Sequence, residues 1–382
     1  MKILVIDKTA VLNSSHERYE RITSHAEVEL CVFSPTSWHE HMRQVRAERT
    51  HHPAYRIELG RTFWNGSYSR GFYLTGLKRC IRDFRPDVIQ LLEEPWSLFA
   101  GQAVKYAKKI VPDCRLLFYT WENIYREGTY CSKIDFLHRR VEASVFESAS
   151  SGICATETAA EVLSRKGFSK PTPVIPYGIP SRFIAAEEEI HRRQARPLSE
   201  PPRIGYIGRL LEMKGIDTLI RALTKVEGEL ILLGSGEAEK DLRALSADLG
   251  LEPRITWISA VPPEEVIEHL RSLDVLVLPS RTTVTWAEQL GRVVLEAMGS
   301  GVPVIGSSSG SIPEVIGNSG LVFEEGNEKE LAEKLGSLFE NADLRRGLIQ
   351  LGWEKVRDRY TWRSFADDLI HHYQSLLNES QA

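Results

Sequence analysis

The sequence predicts an α/β protein built as two Rossmann-like domains with a cleft between them. Three observations carry this. Short apolar runs such as Ile3 to Ile6, Arg115 to Thr120 and Glu229 to Gly234 recur along the chain, and runs of that length read as buried strands. Between them lie stretches long enough for helices, and this alternation implies a parallel sheet covered on both faces. The strand-helix series is broken once, between Pro180 and Pro202, where three glutamates (Glu187 to Glu189), a basic run (His191 to Arg196) and Pro197, Pro201 and Pro202 crowd together. At 382 residues the chain is long enough for two domains. The expected boundaries are 1–180 with the last helix at about 361–382, a linker over 181–202, and 203–360.

The first strand, Ile3 to Ile6, feeds a polar loop from Lys8 to Ser15, and a helix is expected from about His16. A second strand covers Val28 to Phe33. Residues 38–85 hold ten Lys or Arg against four Asp or Glu, with His39, His41, His51 and His52, and with Phe63, Trp64, Tyr68, Phe72 and Tyr73 interleaved. A solvated, irregular face is the plain reading of such a region. A docking surface for an anionic or sugar-bearing acceptor is the sharper one. A helix from Leu74 to Asp83 leads to the strand Asp87 to Leu92, which Glu93, Glu94, Pro95 and Trp96 follow. Ligands of parallel sheets collect at the carboxyl ends of the strands, so Glu94 is a candidate, against the plainer role of a helix N-terminal charge. A helix over Gly101 to Lys109 and the strand Arg115 to Thr120 come next, and Trp121 and Glu122 stand at that strand's end. A helix to about Ser150, a strand from Gly152 and a helix capped by Thr156 complete this half.

The second series has strands at Arg203 to Gly208, Glu229 to Gly234, Arg254 to Ile258, Asp274 to Leu278, Val302 to Ile305 and Gly320 to Phe323. Helices are expected at 217–225, 238–249, 263–273, 290–298 and 328–339, and an amphipathic helical tail over 343–377. After the first of these strands come Gly208, Arg209 and Lys214. Two cations on one strand-end loop suit a diphosphate, Arg as a fork and Lys as a point charge; two solvated charges beside a turn glycine are the alternative. Gly234 repeats the strand-then-glycine pattern. Ile258 and Val261 flank a connection where a base can rest against backbone and apolar walls, or which simply joins two elements. Glu288 and Glu296 stand eight positions apart around Gly291, Arg292 and Val293. A helix starting near Gly291 would offer unpaired amides to an anion. A carboxylate buried at Glu296 is tolerable if two ribose hydroxyls donate to it.

Net charge is −4, which gives no whole-chain reason to expect nucleic acid as a partner. The five cysteines, Cys31, Cys80, Cys114, Cys131 and Cys154, are scattered without CxxC spacing and are expected as reduced thiols. The N-terminus is too quickly polar for a signal peptide, and no run is long enough to span a bilayer. A cytoplasmic location is expected, with a peripheral contact at the inner membrane face left open. There is no HExxH, no clustered Cys and His and no Asp-x-Asp, so no metal site is implied.

Gly208-Arg209 with Lys214-Gly215, the spaced Glu288 and Glu296, the run Glu296 to Ile305 and Pro313-Glu314 resemble glycosyltransferase family 4, the group 1 glycosyltransferases. That resemblance is dense over 203–325 and looser elsewhere. It implies the GT-B fold, two Rossmann-like α/β/α domains facing each other across a cleft, with the final helix crossing back to the first domain. It further implies a retaining enzyme that moves a sugar from a nucleoside-diphosphate sugar, with a UDP-sugar favoured, to a glycan, lipid-linked or small acceptor, with no cofactor. Arg209 and Lys214 would hold the diphosphate, Glu296 the ribose and Glu288 the hydroxyls of the transferred sugar, while Gly291 and Arg292 would present helix-end amides. The chain departs from the family in two places. Many members carry a histidine after the fourth strand of the first domain, where Trp121 stands here, and the first loop lacks the usual paired glycines. His16 is the candidate substitute, although a lone histidine near a helix start is more often at the surface. A nucleotide-sugar epimerase or hydrolase of the same fold, or a non-catalytic nucleotide-sugar-binding relative, are the alternatives.

Overall fold

The structure, a computed structural model, describes residues 1–40, 43–126 and 134–379, so His41 and Cys131 lie outside the described residues. The chain forms two units, Met1–Gly178 together with Trp362–Ala382, and Ile179–Thr361.

Unit 1 begins with β1 (Lys2–Ile6), α1 (Glu17–Ile22) and β2 (Glu29–Pro35), followed by β3 (Ser37–Glu40), β4 (Arg43–Arg46), β5 (Arg56–Gly60), β6 (Thr62–Phe63) and β7 (Phe72–Tyr73). It continues with α2 (Leu77–Phe84), β8 (Val88–Leu91), α3 (Leu98–Ile110), β9 (Arg115–Thr120), α4 (Asp135–Ser148), β10 (Ser151–Cys154) and α5 (Glu157–Arg165). Six strands make one parallel sheet in the order β10-β9-β8-β1-β2-β5. Alternate residues of β1 serve opposite faces, as a strand's period of two requires. Leu4 and Ile6 join a core with Leu77, Ile81 and Ala103 of α2 and α3. Ile3 and Val5 join a core with Tyr19 and with Trp362, Phe365, Leu369 and Tyr373 of the last helix.

Residues 38–85 are more regular than their composition implies. β5 extends the main sheet, and β3-β4 and β6-β7 form two small antiparallel ladders. Mixed charge hides these strands because few of their residues are fully buried.

Unit 2 contains α6 (Glu187–Ala195), β11 (Arg203–Ile207), α7 (Ile216–Ala222), β12 (Glu229–Leu233), α8 (Glu239–Asp248), β13 (Ile255–Ile258), α9 (Val266–Arg271) and β14 (Val275–Leu278). It ends with α10 (Arg292–Gly299), β15 (Val304–Ser307), α11 (Ile312–Ile316), β16 (Leu321–Phe323), α12 (Glu328–Glu340) and α13 (Ala342–Arg359). Its parallel sheet has the order β13-β12-β11-β14-β15-β16. The helical tail breaks at Tyr360 and Thr361, and α14 (Trp362–Asn378) belongs to unit 1.

The stretch 181–202, expected as a linker, lies in unit 2 and contains α6. The polarity of α6 conceals its one buried residue, Ile190, packed with Ala185, Ile349 and Trp353. Trp353 Nε1 donates to Ala185 O at 2.9 Å, and Arg196 pairs with Asp274 at 2.8 Å.

Candidate active site

In unit 2 the strand order places the first and fourth strands, β11 and β14, side by side. Helices therefore leave the sheet in opposite directions at that point, which opens a crevice at the carboxyl ends of these two strands. The loop after β11 carries Gly208, Arg209 and Lys214. The loop after β14 carries Ser280, Arg281, Trp286 and Glu288.

Glycine lets these loops approach one another. At Gly215, with φ of 64°, a Cβ would stand 2.0 Å from Pro279 O on the β14 loop. At Gly234, after β12, a Cβ would stand 1.9 Å from Gly208 O. Both approaches fall well inside van der Waals contact, so a side chain at either position would force the loops apart. Further bonds tie them together: Leu210 N to Ser235 O at 3.0 Å, Gly234 N to Ile258 O at 2.9 Å and Arg281 N to Met213 O at 2.8 Å.

Within this frame Lys214 Nζ donates to Glu288 Oε2 at 2.6 Å. The same oxygen accepts from Ser280 Oγ at 2.8 Å. Lys214 Nζ also lies 4.6 Å from the centroid of the Trp286 ring, a distance at which the ring face attracts a cation. Glu288 is buried and its main-chain carbonyl accepts from Ser311 N at 2.9 Å, which fixes the loop against the start of α11. Arg209 is exposed at the mouth, and its carbonyl accepts from the buried Tyr206 hydroxyl at 2.7 Å. Burial pushes the Tyr206 phenol well up, helped by Glu288 and opposed by Arg209.

α10 begins at Arg292, with Gly291 as its cap in a left-handed conformation and no side chain to accept from its first amides. Those amides carry the partial positive charge of a helix N-terminus. One turn on, Glu296 is buried and pairs with Arg292 Nε at 3.2 Å. Burial raises its carboxyl above the ordinary range, against the pull of Arg292 and Arg182. Val293 is half-buried in the first turn of α10, and Ile258 and Val261 are half-buried around the end of β13. A cationic pair, helix amides and two buried carboxylates at the carboxyl end of one sheet can hold a diphosphate and hydroxyl groups together.

Residues 187–354 match the family model described as glycosyl transferases group 1. That match covers most of the second unit, and over those residues the chain is similar to the group 1 glycosyltransferases. The chain is 28% identical over 303 residues to a sulfoquinovosyl transferase of Arabidopsis thaliana, covering 74% of this chain and 56% of the relative. It is 32% identical over 194 residues to a GDP-mannose-dependent alpha-(1-6)-phosphatidylinositol monomannoside mannosyltransferase of Mycobacterium tuberculosis, covering 48% of this chain and 50% of that one. The chain spans about half the length of the curated relatives it matches. Among solved structures, a sucrose-phosphate synthase from Thermosynechococcus elongatus superposes with a TM-score of 0.72 at 18% identity, covering 99% of this chain and all (100%) of that one. An Anabaena protein in complex with UDP superposes with a TM-score of 0.72 at 17% identity, covering 98% and 100%. At these identities the likeness concerns the fold, which is GT-B.

The candidates of unit 1 fall into two separate settings. His16 is buried, and its ring nitrogens contact Tyr55 Oη at 2.6 Å and Ala10 O at 2.9 Å. It is therefore neither a surface residue nor open to a ligand, and burial lowers its pKa. Glu94 accepts from Thr120 Oγ1 at 2.6 Å and from Trp121 N at 2.9 Å. Burial and the neighbouring Glu122 push its carboxyl up to about 7. Glu122 is held by Lys166 and by Arg126 at 3.1 Å, and Lys166 also reaches Glu142 at 2.8 Å. The Trp121 ring packs on Tyr119 at 4.5 Å and Tyr177 at 5.7 Å. Glu94, Trp121 and Glu122 thus form one cluster across the ends of β8 and β9, and His16 stands apart from it.

Sequence reasoning passed over Ser280, Trp286 and Tyr206 as working parts. Ser280 carried a signal, a small hydroxyl residue directly after a strand and eight residues before Glu288. Tyr206 carried none, because its apolar ring suits the strand and only the fold shows its hydroxyl gripping the Arg209 carbonyl.

Proposed function

We propose that this protein is a retaining glycosyltransferase that moves a sugar from a nucleoside-diphosphate sugar to a glycan, lipid-linked or small acceptor without needing a metal ion. The observation that carries the reading is the Lys214–Glu288 pair at the β11/β14 switch point, 2.6 Å apart and beside the uncapped start of α10. Arg209, Lys214 and the α10 amides meet the charge that grows on the departing diphosphate; preorganised donors of this kind stabilise a transition state strongly. Glu296 receives the ribose hydroxyls, and Glu288 the hydroxyls of the transferred sugar. The bond between the anomeric carbon and the β-phosphate oxygen breaks, the acceptor oxygen bonds to the same face of that carbon, and the acceptor proton passes to the departing phosphate. Similar proteins support both uracil and guanine donors, since one is solved with UDP and another is named for GDP-mannose. We favour UDP.

Thermal-shift screening of the full chain against nucleoside diphosphates and their sugars tests the donor. A stabilisation confined to one base is expected. No shift with any member of the panel overturns the reading. Anomeric analysis of the product by NMR tests retention, and turnover that survives EDTA tests metal independence.

A further inference from the structure

The strongest charge asymmetry along the sequence lies in unit 1. Between residues 61 and 85 the chain carries six Lys or Arg and one Asp, in a protein of net charge −4. The single carboxylate, Asp83, pairs with Arg82 at 3.0 Å, and Arg79 is shared with Glu58 at 3.4 Å. Among the described residues Arg61, Arg70, Lys78 and Arg85 make no ion pair, and all four are exposed. The same segment holds four of the large hydrophobic side chains that stay in solvent: Phe63 at 45%, Trp64 at 53%, Tyr68 at 48% and Leu74 at 55% exposure.

The fold gathers these groups. Phe63 faces Phe72 across the β6-β7 ladder with ring centroids 5.4 Å apart, and Trp64 lies 5.0 Å from Phe63. β7 ends at Tyr73, and three residues later α2 begins, with Leu77, Cys80, Ile81 and Phe84 turned inward and Lys78, Arg79 and Arg82 outward. Trp64 has φ of 50°. A bulky residue in the left-handed region is strained, yet here the indole stays 53% exposed with Phe63 as its ring neighbour.

We propose that the β6-β7 hairpin and the outer face of α2 form a docking surface for a bilayer that carries anionic lipids. Aromatic rings settle at the membrane–water boundary, where an apolar body and a polar edge are both satisfied. Lys and Arg around them are drawn to the negative surface, and several such charges act together. The charge complementarity favours an anionic bilayer over a neutral one. The rings pack on each other at tilts of 50° and 36°, which suits burial as one apolar knob better than stacking of successive bases. Among the described residues no helix is long and apolar enough to cross a membrane, so this contact is a surface one. The inference shares no residue with the donor site, and it holds or fails without reference to the transfer reaction.

Co-sedimentation of the full chain with vesicles tests it, using phosphatidylcholine alone and phosphatidylcholine mixed with phosphatidylglycerol. Binding to the mixed vesicles is expected, and it weakens as salt rises from about 0.1 M to about 0.5 M because surface charge is screened. The double variant Phe63→Ser, Trp64→Asn, in which Asn tolerates the left-handed conformation, is expected to lose about tenfold or more in binding. Arg70→Glu with Lys78→Glu is expected to lose at least as much on the mixed vesicles, from exposed positions that leave the fold alone. Equal binding to both vesicle types, no binding to either, or unchanged binding in both variants overturns the proposal. So does an oligonucleotide or a sulfated polysaccharide that binds the free chain and loses affinity in the same variants while vesicles do not bind.

Discussion

Lys214 and Glu288 meet at 2.6 Å although they are 74 residues apart, and Lys8 and Glu93 make the matching contact in the other sheet. Each pair joins the loop after the first strand of its sheet to the loop after the fourth, because both sheets have the same strand order around their switch points. The surroundings differ. Lys8 is covered by Tyr68, Phe99 and Trp38, with ring centroids 4.9, 5.5 and 5.9 Å away, and Glu93 is wholly enclosed. Lys214 and Glu288 keep 13% and 12% of their side chains accessible, and Ser280 gives Glu288 a second donor. One arrangement is closed around itself, and the other stands open to a ligand.

Lys214→Ala should therefore act on turnover more than on stability. Losing a preorganised charge at a departing diphosphate typically lowers kcat by about 10²- to 10³-fold. The remaining Glu288 keeps Ser280 and some water, so the loss of stability should stay near 1 kcal/mol, a few degrees in Tm at most. Steady-state kinetics beside a melting curve decide it. A near-normal kcat would remove Lys214 from the chemistry.

Lys8→Ala should show the reverse pattern. It strands the Glu93 carboxylate, which burial already pushes up to about 7 against the pull of Lys8. Breaking one partner from an enclosed pair costs roughly 3 to 5 kcal/mol. Urea unfolding of the variant should show this loss, while the protein that remains folded keeps its affinity for nucleoside diphosphate. A stability equal to wild type would mean that the pair is not closed in solution.

Gly234→Ala tests how closely the strand-end loops must approach. A Cβ there would stand 1.9 Å from Gly208 O, on backbone with φ of 145°. Neither backbone can yield without moving the Gly208-Arg209 turn, so a loss of about 2 to 4 kcal/mol is expected. Nucleotide affinity should fall with it, because Arg209 rides on that turn. Unfolding midpoints and UDP titration by calorimetry measure the two effects, and a variant with wild-type values in both would show the contact to be slack.

Unit 2 was the more legible half because its site and its core follow from one pattern. Most of its strands are short apolar runs, and Arg209, Lys214 and Glu288 lie in the loops that follow two of them. The sequence alone places Glu288, Arg209 and Lys214 on strand-end loops. Unit 1 was harder in the places where polarity conceals burial. His16 sits at a helix start, where histidine is commonly exposed, yet Tyr55 Oη and Ala10 O enclose it. Tyr55 is 39 residues away in sequence, so no local pattern announces that partner. α6 was hidden in the same way, since only Ile190 marks the inward side of an otherwise charged helix. Lys8 passed as part of a polar loop for the same reason.

Glu296 makes a prediction with two opposite signs. Burial holds its carboxyl above the ordinary range despite Arg292, so the folded protein retains that proton to higher pH than the unfolded chain does. Its contribution to stability is complete below the unfolded value of about 4.3 and is lost as pH rises through the folded value. Binding of a ribose asks for the ionised form, which accepts both hydroxyl protons. Wild-type affinity for UDP should thus rise with pH across the window in which stability falls. Glu296→Gln cannot titrate there, so the ratio of wild-type to variant affinity should grow with pH, by about tenfold if the lost bonds are those of a charged acceptor. Taking that ratio at each pH cancels the titration of the nucleotide phosphates. In unfolding experiments the variant should gain on wild type over the same range. A ratio that stays flat would place the ribose elsewhere.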